Sequence, residues 1–387
     1  MKIITRTVWL LSFVSLFTDM ASEMLYPIMP IYLKSIGFSV IIIGVLEGLA
    51  EAVAGFSKGY FGNMSDNFGK RLPFVQIGYG LSALSKPLMP FFVNPLWVFF
   101  VRTTDRIGKG IRTGARDALL SEEATQSTKA SVFGFHRSMD TLGAVIGPIL
   151  ALLFLYYYPQ KYTTLFFIAF LPGCAAIAAS FLIKEKIKIK QQKKIHFFSF
   201  IDYWKKATPQ YRKVAIGLLA FALFNSSDIF LLLQAKQAGL SDVFVIGLYI
   251  FYNLVYALSA YPLGAIADKL GFKNILIVGF VLFGIVYLGM GVSSNKMLIF
   301  AMFFLYGLYA AATEGVAKAW LSNLCKKEET ATAIGAYASF QSVFSMLSSS
   351  GAGVIWYCFG ASATFILSAI ATLFIVGYFL FFVKNKS

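Results

Sequence analysis

Apolar residues fill this chain in continuous blocks of about 20 positions, parted by short segments rich in Gly, Pro, Lys and Arg. A helix of that length rises about 1.5 Å per residue and crosses the roughly 30 Å of hydrocarbon in a bilayer. The blocks predict twelve membrane-spanning helices, near residues 7–32, 39–61, 72–93, 96–119, 131–157, 163–183, 213–235, 243–263, 273–293, 297–321, 331–355 and 360–383. Membrane strands would instead alternate apolar and polar positions over about ten residues, which these blocks do not. The fold class is therefore all-α and integral to the membrane. The opening stretch, MKIITRTVWLLSFVSLF, imitates a secretory leader. Asp19 and Glu23 follow it without a cleavage pattern and the apolar register runs on to Leu33, so it reads as the first span.

Composition sharpens the picture. The 387 residues are 58% hydrophobic and 13% charged, with a net charge of +16. In a soluble protein such a charge would point to nucleic acid, but its distribution decides otherwise. With the N-terminus in the cytoplasm, the outer loops hold Lys34, Lys161, Lys236 and Lys296, and most of the remaining cations fall on the inner side. Inner loops rich in Lys and Arg set the orientation of membrane proteins. Both termini are thus expected in the cytoplasm, and the chain in the cytoplasmic membrane. The expected partners are the lipid bilayer and a small-molecule substrate, with no nucleic acid and a monomeric protein. Cys174, Cys325 and Cys358 lack metal-ligand spacing, so no metal is expected.

A basic segment divides the chain into an N-terminal bundle (1–186), a linker (187–212) and a C-terminal bundle (213–387). Within the linker, HFFSFIDYW reads either as a short amphipathic helix on the inner leaflet or as a solvated connection. The halves repeat one pattern. GNMSDNFGKR follows the second span and GAIADKLGFK the eighth, both G-x-x-x-D-x-x-G before basic residues. The first Gly permits close helix approach and the Asp can pair with a helix terminus or a cation. The second Gly permits a tight turn, and the basic residues anchor to the inner leaflet. This motif, at Gly62, Asp66, Gly69, Lys70 and Arg71 and more loosely at Gly264, Asp268, Gly271 and Lys273, resembles the loop signature of the major facilitator superfamily. With twelve spans and a central basic loop, the resemblance covers essentially the whole chain. It implies two pseudo-symmetric six-helix bundles that alternate access to a central site.

The fourth span is the most charged. At 100° per residue Arg102, Asp105, Arg106, Lys109, Arg112, Thr113 and Arg116 form one stripe. A charge at mid-bilayer costs on the order of 3 kcal/mol or more, so the stripe must face protein or water. The GKG within it is not a phosphate loop, because Thr103 stands where the first glycine would be. Arg106 with Gly110 resembles the fourth-span signature of the same superfamily, which implies a coupling role for Arg106. Asp19 and Glu23 share a face of the first span at similar depth, so a carboxylate there that gains or loses a guanidinium neighbour forms a proton switch.

In the fifth span His136, Asp140, Gly143 and Gly147 share a face, with Arg137 to one side, and a cluster of His136 and Asp140 with Arg112 and Arg116 is expected. Gly143, Gly147 and Pro148 resemble the superfamily's antiporter signature, although Ile149, Leu150 and Ala151 replace the glycines expected next. Small-residue helix packing explains the same spacing. Asp228 is a candidate for protonation in the seventh span. Glu314 and Lys318, one turn apart in the tenth, could neutralise each other. Glu47 and Glu51 read as packing or gating groups, and Tyr252 and Tyr256 as cavity candidates.

These features predict a secondary active transporter for a small anionic or zwitterionic organic solute. It would need no cofactor and would draw on a proton gradient, with sodium as the other ion compatible with the sequence. Export by antiport, uptake by symport, and efflux of neutral or cationic compounds all remain open at this point. The motifs of an enzyme are missing, with no His-x-x-x-His, Gly-x-Ser-x-Gly or paired glycosidase carboxylates.

Overall fold

The computed structural model describes residues 3–26, 28–185, 198–293 and 295–383. The described residues are 87% helix, and none of them is in a strand. In order the helices are α1 (Arg6–Leu25), α2 (Met29–Ser35), α3 (Val40–Phe68), α4 (Leu72–Leu88), α5 (Pro95–Glu123), α6 (Lys129–Tyr157) and α7 (Tyr162–Ser180). There follow α8 (Ser199–Lys206), α9 (Pro209–Phe224), α10 (Ile229–Gln237), α11 (Asp242–Leu270), α12 (Phe272–Val292), α13 (Lys296–Asn323) and α14 (Thr330–Phe382).

Local chemistry sets many of the boundaries. Thr5, Ser39, Thr208 and Asn295 precede α1, α3, α9 and α13, and each side chain accepts a first-turn N–H that has no partner within its helix. Gly69 ends α3 at φ 65° and Gly271 separates α11 from α12 at φ 91°, a region that a side chain makes costly. The tight turn expected at both repeated motifs is therefore present.

Four spans differ from the expected pattern of one separate helix each. The first is split into α1 and α2, and Pro27 and Pro30 in the sequence there lack the N–H a continuous helix needs. The seventh is split into α9 and α10 by the polar run at residues 225–228. The last two form one helical stretch, α14, broken at Gly360, where φ is 85°. Among the described residues, eight helical stretches are by themselves long and apolar enough to cross a membrane.

Two compact units result. The first takes in the chain up to Glu123, Met139–Lys206 and Lys326–Ser339; the second takes in Ala124–Ser138, Ala207–Cys325 and the chain from Phe340 onward. The division does not follow the linker alone, because short pieces of α6 and α14 group with the unit built mainly from the opposite half of the sequence. In the first unit α3, α4 and α5 pack side by side, with α1 and α4 against α7; in the second α13 packs on both α11 and α12.

The first part of the linker, residues 187–197, lies outside the described residues, and α8 forms over its middle. Its apolar side is not free to enter lipid as expected for a surface helix. Phe200 and Tyr203 are buried within the first unit, Phe200 against Gly59 of α3 and Ser339 of α14, while Phe198 and Ile201 stay exposed.

Candidate functional site

The repeated motif caps helices. In the first unit Asp66 accepts the Thr332 backbone N–H at 2.7 Å and its hydroxyl at 2.8 Å, at the start of α14. In the second unit Asp268 accepts N–H groups from Ala130 at 2.9 Å and Ser131 at 2.7 Å, at the start of α6. Gly62 lies against the Ala331 carbonyl and Gly264 against that of Ala130, an approach too close for a β-carbon. Each motif thus places a carboxylate at the positive end of a helix dipole. The basic residues depart from their expected lipid role. Arg71 is buried and paired with Asp66 at 2.9 Å and Glu122 at 2.6 Å. Lys273 donates to the Leu380 and Val383 carbonyls at the end of α14. Lys70 is exposed.

Higher in the first unit, α1, α2, α4, α5 and α7 line a cavity of about 70 Å³. Seven sequence candidates line it: Asp19 and Glu23 from α1, and Arg102, Asp105, Arg106, Lys109 and Arg112 from α5. The charged stripe therefore faces the interior, as exclusion from lipid requires.

One lining residue carries a charge that sequence reasoning passed over. Lys86 of α4, 6% exposed, donates to Asp105 at 2.9 Å, and Arg102 stands 3.9 Å from the same carboxylate. Its signal was a lone lysine within an apolar span, an intramembrane charge that is a functional candidate by default. The contact depends on the close crossing of α4 and α5, where Gly78 touches the Gly108 carbonyl and the Arg112 backbone.

The polar cluster expected at Asp140 assembles in part. Ser15 of α1 donates its hydroxyl to Asp140, and Arg116 donates to Ser15 at 3.3 Å while pairing with Asp117 at 2.9 Å. Gly143, one turn beyond Asp140 on α6, packs against Asp19, so the Asp19 and Asp140 carboxyl groups are neighbours across the α1–α6 contact. Gly143 and Gly147 make this possible, because α6 lies on α1 there with Leu16, Met20 and Glu23 backbone atoms where a β-carbon would stand. Pro148 lies within α6.

Arg112, expected in the same cluster, turns to α4, donating to Ser82 at 2.6 Å and lying 4.6 Å over the Tyr79 ring. His136 is buried and groups with the second unit. Among the lining side chains, Lys109 acts electrostatically on Asp19, the position that the sequence assigned to Arg106.

The second unit holds the remaining candidates. Arg137 pairs with Glu314 at 2.7 Å and lies 6.0 Å over Tyr256, so Glu314 has a partner beyond its own helix. Asp228 sits at the α9–α10 break and receives the Tyr252 hydroxyl, with Tyr306 packed 5.2 Å from Tyr252. Asn225 at the same break donates to Tyr309 at 2.9 Å. The Glu47 and Glu51 side chains lie outside the described residues. Among the described residues no group of His, Cys, Asp and Glu is arranged to hold a metal.

Comparison with known proteins gives a consistent result. The chain is 33% identical to an MFS-type transporter of Methanocaldococcus jannaschii over 96% of its own length and 95% of that protein. It is 23% identical to the multi-drug resistance efflux pump PmrA of Streptococcus pneumoniae, covering 83% and 81% of the two chains. Its fold superposes on the human organic anion transporter MFSD10 with a TM-score of 0.80 at 15% identity, over 97% and 99% of the chains. The fucose:proton symporter FucP of E. coli gives 0.75 at 10% identity, over 97% and 98%. Residues 11–252 and 217–387 match the Major Facilitator Superfamily. With twelve membrane-spanning helices in two halves, the chain is an integral membrane transporter belonging to that superfamily.

Proposed function

We propose that the protein is a secondary active transporter that moves a small organic anion together with a proton. In this reading it is a monomer of the cytoplasmic membrane with both termini inside, as the distribution of Lys and Arg implies. The observation that carries the reading is the charge of the cavity. Five cations and three carboxylates line it, and Lys86 and Arg102 already share Asp105. Cations therefore outnumber carboxylates by two around the cavity.

The proton site is the Asp19–Asp140 pair. Two neighbouring carboxyl groups away from water resist being ionised together, so the pair is a place where one proton can reside. The charged groups around Asp19 are Asp140 from α6, Lys109 from α5 and Glu23 on its own helix, while Arg106 and Arg112 from α5 and Lys86 from α4 line the same cavity. The packed α7 contains no acidic or basic residue.

Protonating Asp19 removes a negative charge opposite Lys109 and makes the cavity more positive, which favours an anion. By linkage the bound anion favours the proton to the same degree. The two ligands therefore travel together, which is symport.

A second reading, efflux of cationic compounds by antiport, is favoured by the similarity to PmrA. It predicts the opposite sign, because proton and cation would compete for Asp19 and Glu23. Affinity measured against pH in reconstituted vesicles separates the two. The symport reading expects affinity to rise as pH falls, and expects Asp19→Asn to bind well at every pH while losing transport driven by a pH gradient. Substrate affinity that rises with pH supports the antiporter instead.

A further inference from the structure

The cavity is chemically two-ended. Along α5 the lining passes from Val101 through Arg102 and Asp105 to Lys109 and Arg112, and from Met29 at the start of α2 along α1 through Leu25 to Glu23 and Asp19. The two gradients run in the same sense, because Asp19 meets Lys109 at one end while Leu25, Met29 and Val101 share one apolar cluster at the other. Met89 and Phe166 complete the apolar end, and all five residues are at most 5% exposed. Lys109, by contrast, is exposed at the mouth. A purely hydrophilic anion would leave the apolar end unfilled, and a neutral hydrophobe would leave the cations unmatched.

We propose that the transported solute is an amphiphilic organic anion. Its carboxylate or similar head lies between Lys109 and Arg106, and its apolar body enters the end formed by Met29, Met89 and Phe166. This rests on the anion reading above and narrows it, since apolar contact and charge recognition then act on separate parts of one molecule. Binding becomes tighter with each methylene that reaches the apolar end, by about fourfold per group at the usual transfer value.

The test uses the full chain in lipid nanodiscs, with binding read as the rise of the unfolding midpoint. The probes are benzoate, 4-phenylbutyrate, the uncharged 4-phenylbutyramide, succinate and tetraphenylphosphonium. The proposal expects 4-phenylbutyrate to stabilise most, benzoate less, and the other three little. Lys109→Gln should weaken 4-phenylbutyrate at least tenfold, which also separates site binding from partitioning into lipid. Met89→Gln should weaken 4-phenylbutyrate more than benzoate, and the unliganded midpoint of each variant reports whether it is folded.

Succinate matching 4-phenylbutyrate overturns the amphiphile and leaves the anion reading standing. The amide or the phosphonium matching it overturns both. Silence from the whole carboxylate series at millimolar concentration also overturns the proposal.

Discussion

The two units use buried polarity in different ways. Around the first unit's cavity, charges are compensated by other charges: Lys86 and Arg102 share Asp105, and Arg116 pairs with Asp117. At the α9–α10 break of the second unit, hydroxyl and amide groups predominate, with Tyr252 on Asp228 and Asn225 on Tyr309. One repeated helical scaffold therefore carries an ionic network in one unit and an aromatic hydrogen-bonding network in the other. A shared fold does not dictate a shared chemistry, and function has to be argued from the side chains that each unit presents.

Removing a charge should test this contrast most severely. Asp105→Ala leaves Lys86 and Arg102 buried without their shared carboxylate, and a loss of about 3–5 kcal/mol is expected. Thermal unfolding of the detergent-solubilised protein measures it. Replacing Lys86 by Met in the same chain should recover part of the loss, and no recovery would show that the pair does not act as a unit.

A smaller effect is expected at the helix contact that brings the carboxyl pair together. Gly147→Ala places a methyl group against the Met20 carbonyl and should cost about 1–3 kcal/mol. It should also flatten the pH dependence of binding by parting α1 from α6. A variant as stable as the parent with an unchanged pH profile would sever the link between these glycines and the proton site.

The mildest change is expected in the second unit. Tyr252→Phe removes one hydroxyl from Asp228, which keeps that of Ser227, and should cost about 0.5–1.5 kcal/mol while leaving the anion affinity of the first unit's cavity unchanged. A fall in that affinity comparable to the effect of Lys109→Gln would erase the functional distinction between the two regions.

Much of this arrangement was legible in the chain. Lipid cannot accommodate the stripe from Arg102 to Arg112, so its inward orientation followed from hydropathy alone, and the same reasoning placed Asp19 and Glu23 beside it. Short-range chemistry located the turns at Gly69 and Gly271. What escaped were contacts joining distant parts of the sequence. Lys86 meets Asp105 because α4 and α5 cross at Gly78 and Gly108, and no periodicity within either helix specifies that crossing. Arg137 and Glu314 lie 177 residues apart. The α9–α10 break had a visible polar signal, NSSD, but a span of otherwise apolar residues masked it. The inward burial of Phe200 and Tyr203 depends on α3 and α14, which the linker sequence does not reveal.

The capping role of Asp66 and Asp268 carries a consequence for tolerance to change. Their principal partners are main-chain amides at Thr332, Ala130 and Ser131, which every residue but proline supplies. A saturation scan should therefore find positions 66 and 268 intolerant while 130 accepts small residues freely, since its carbonyl lies against Gly264. At 332, most substitutions would cost only the hydroxyl contact, and proline alone would remove the anchor.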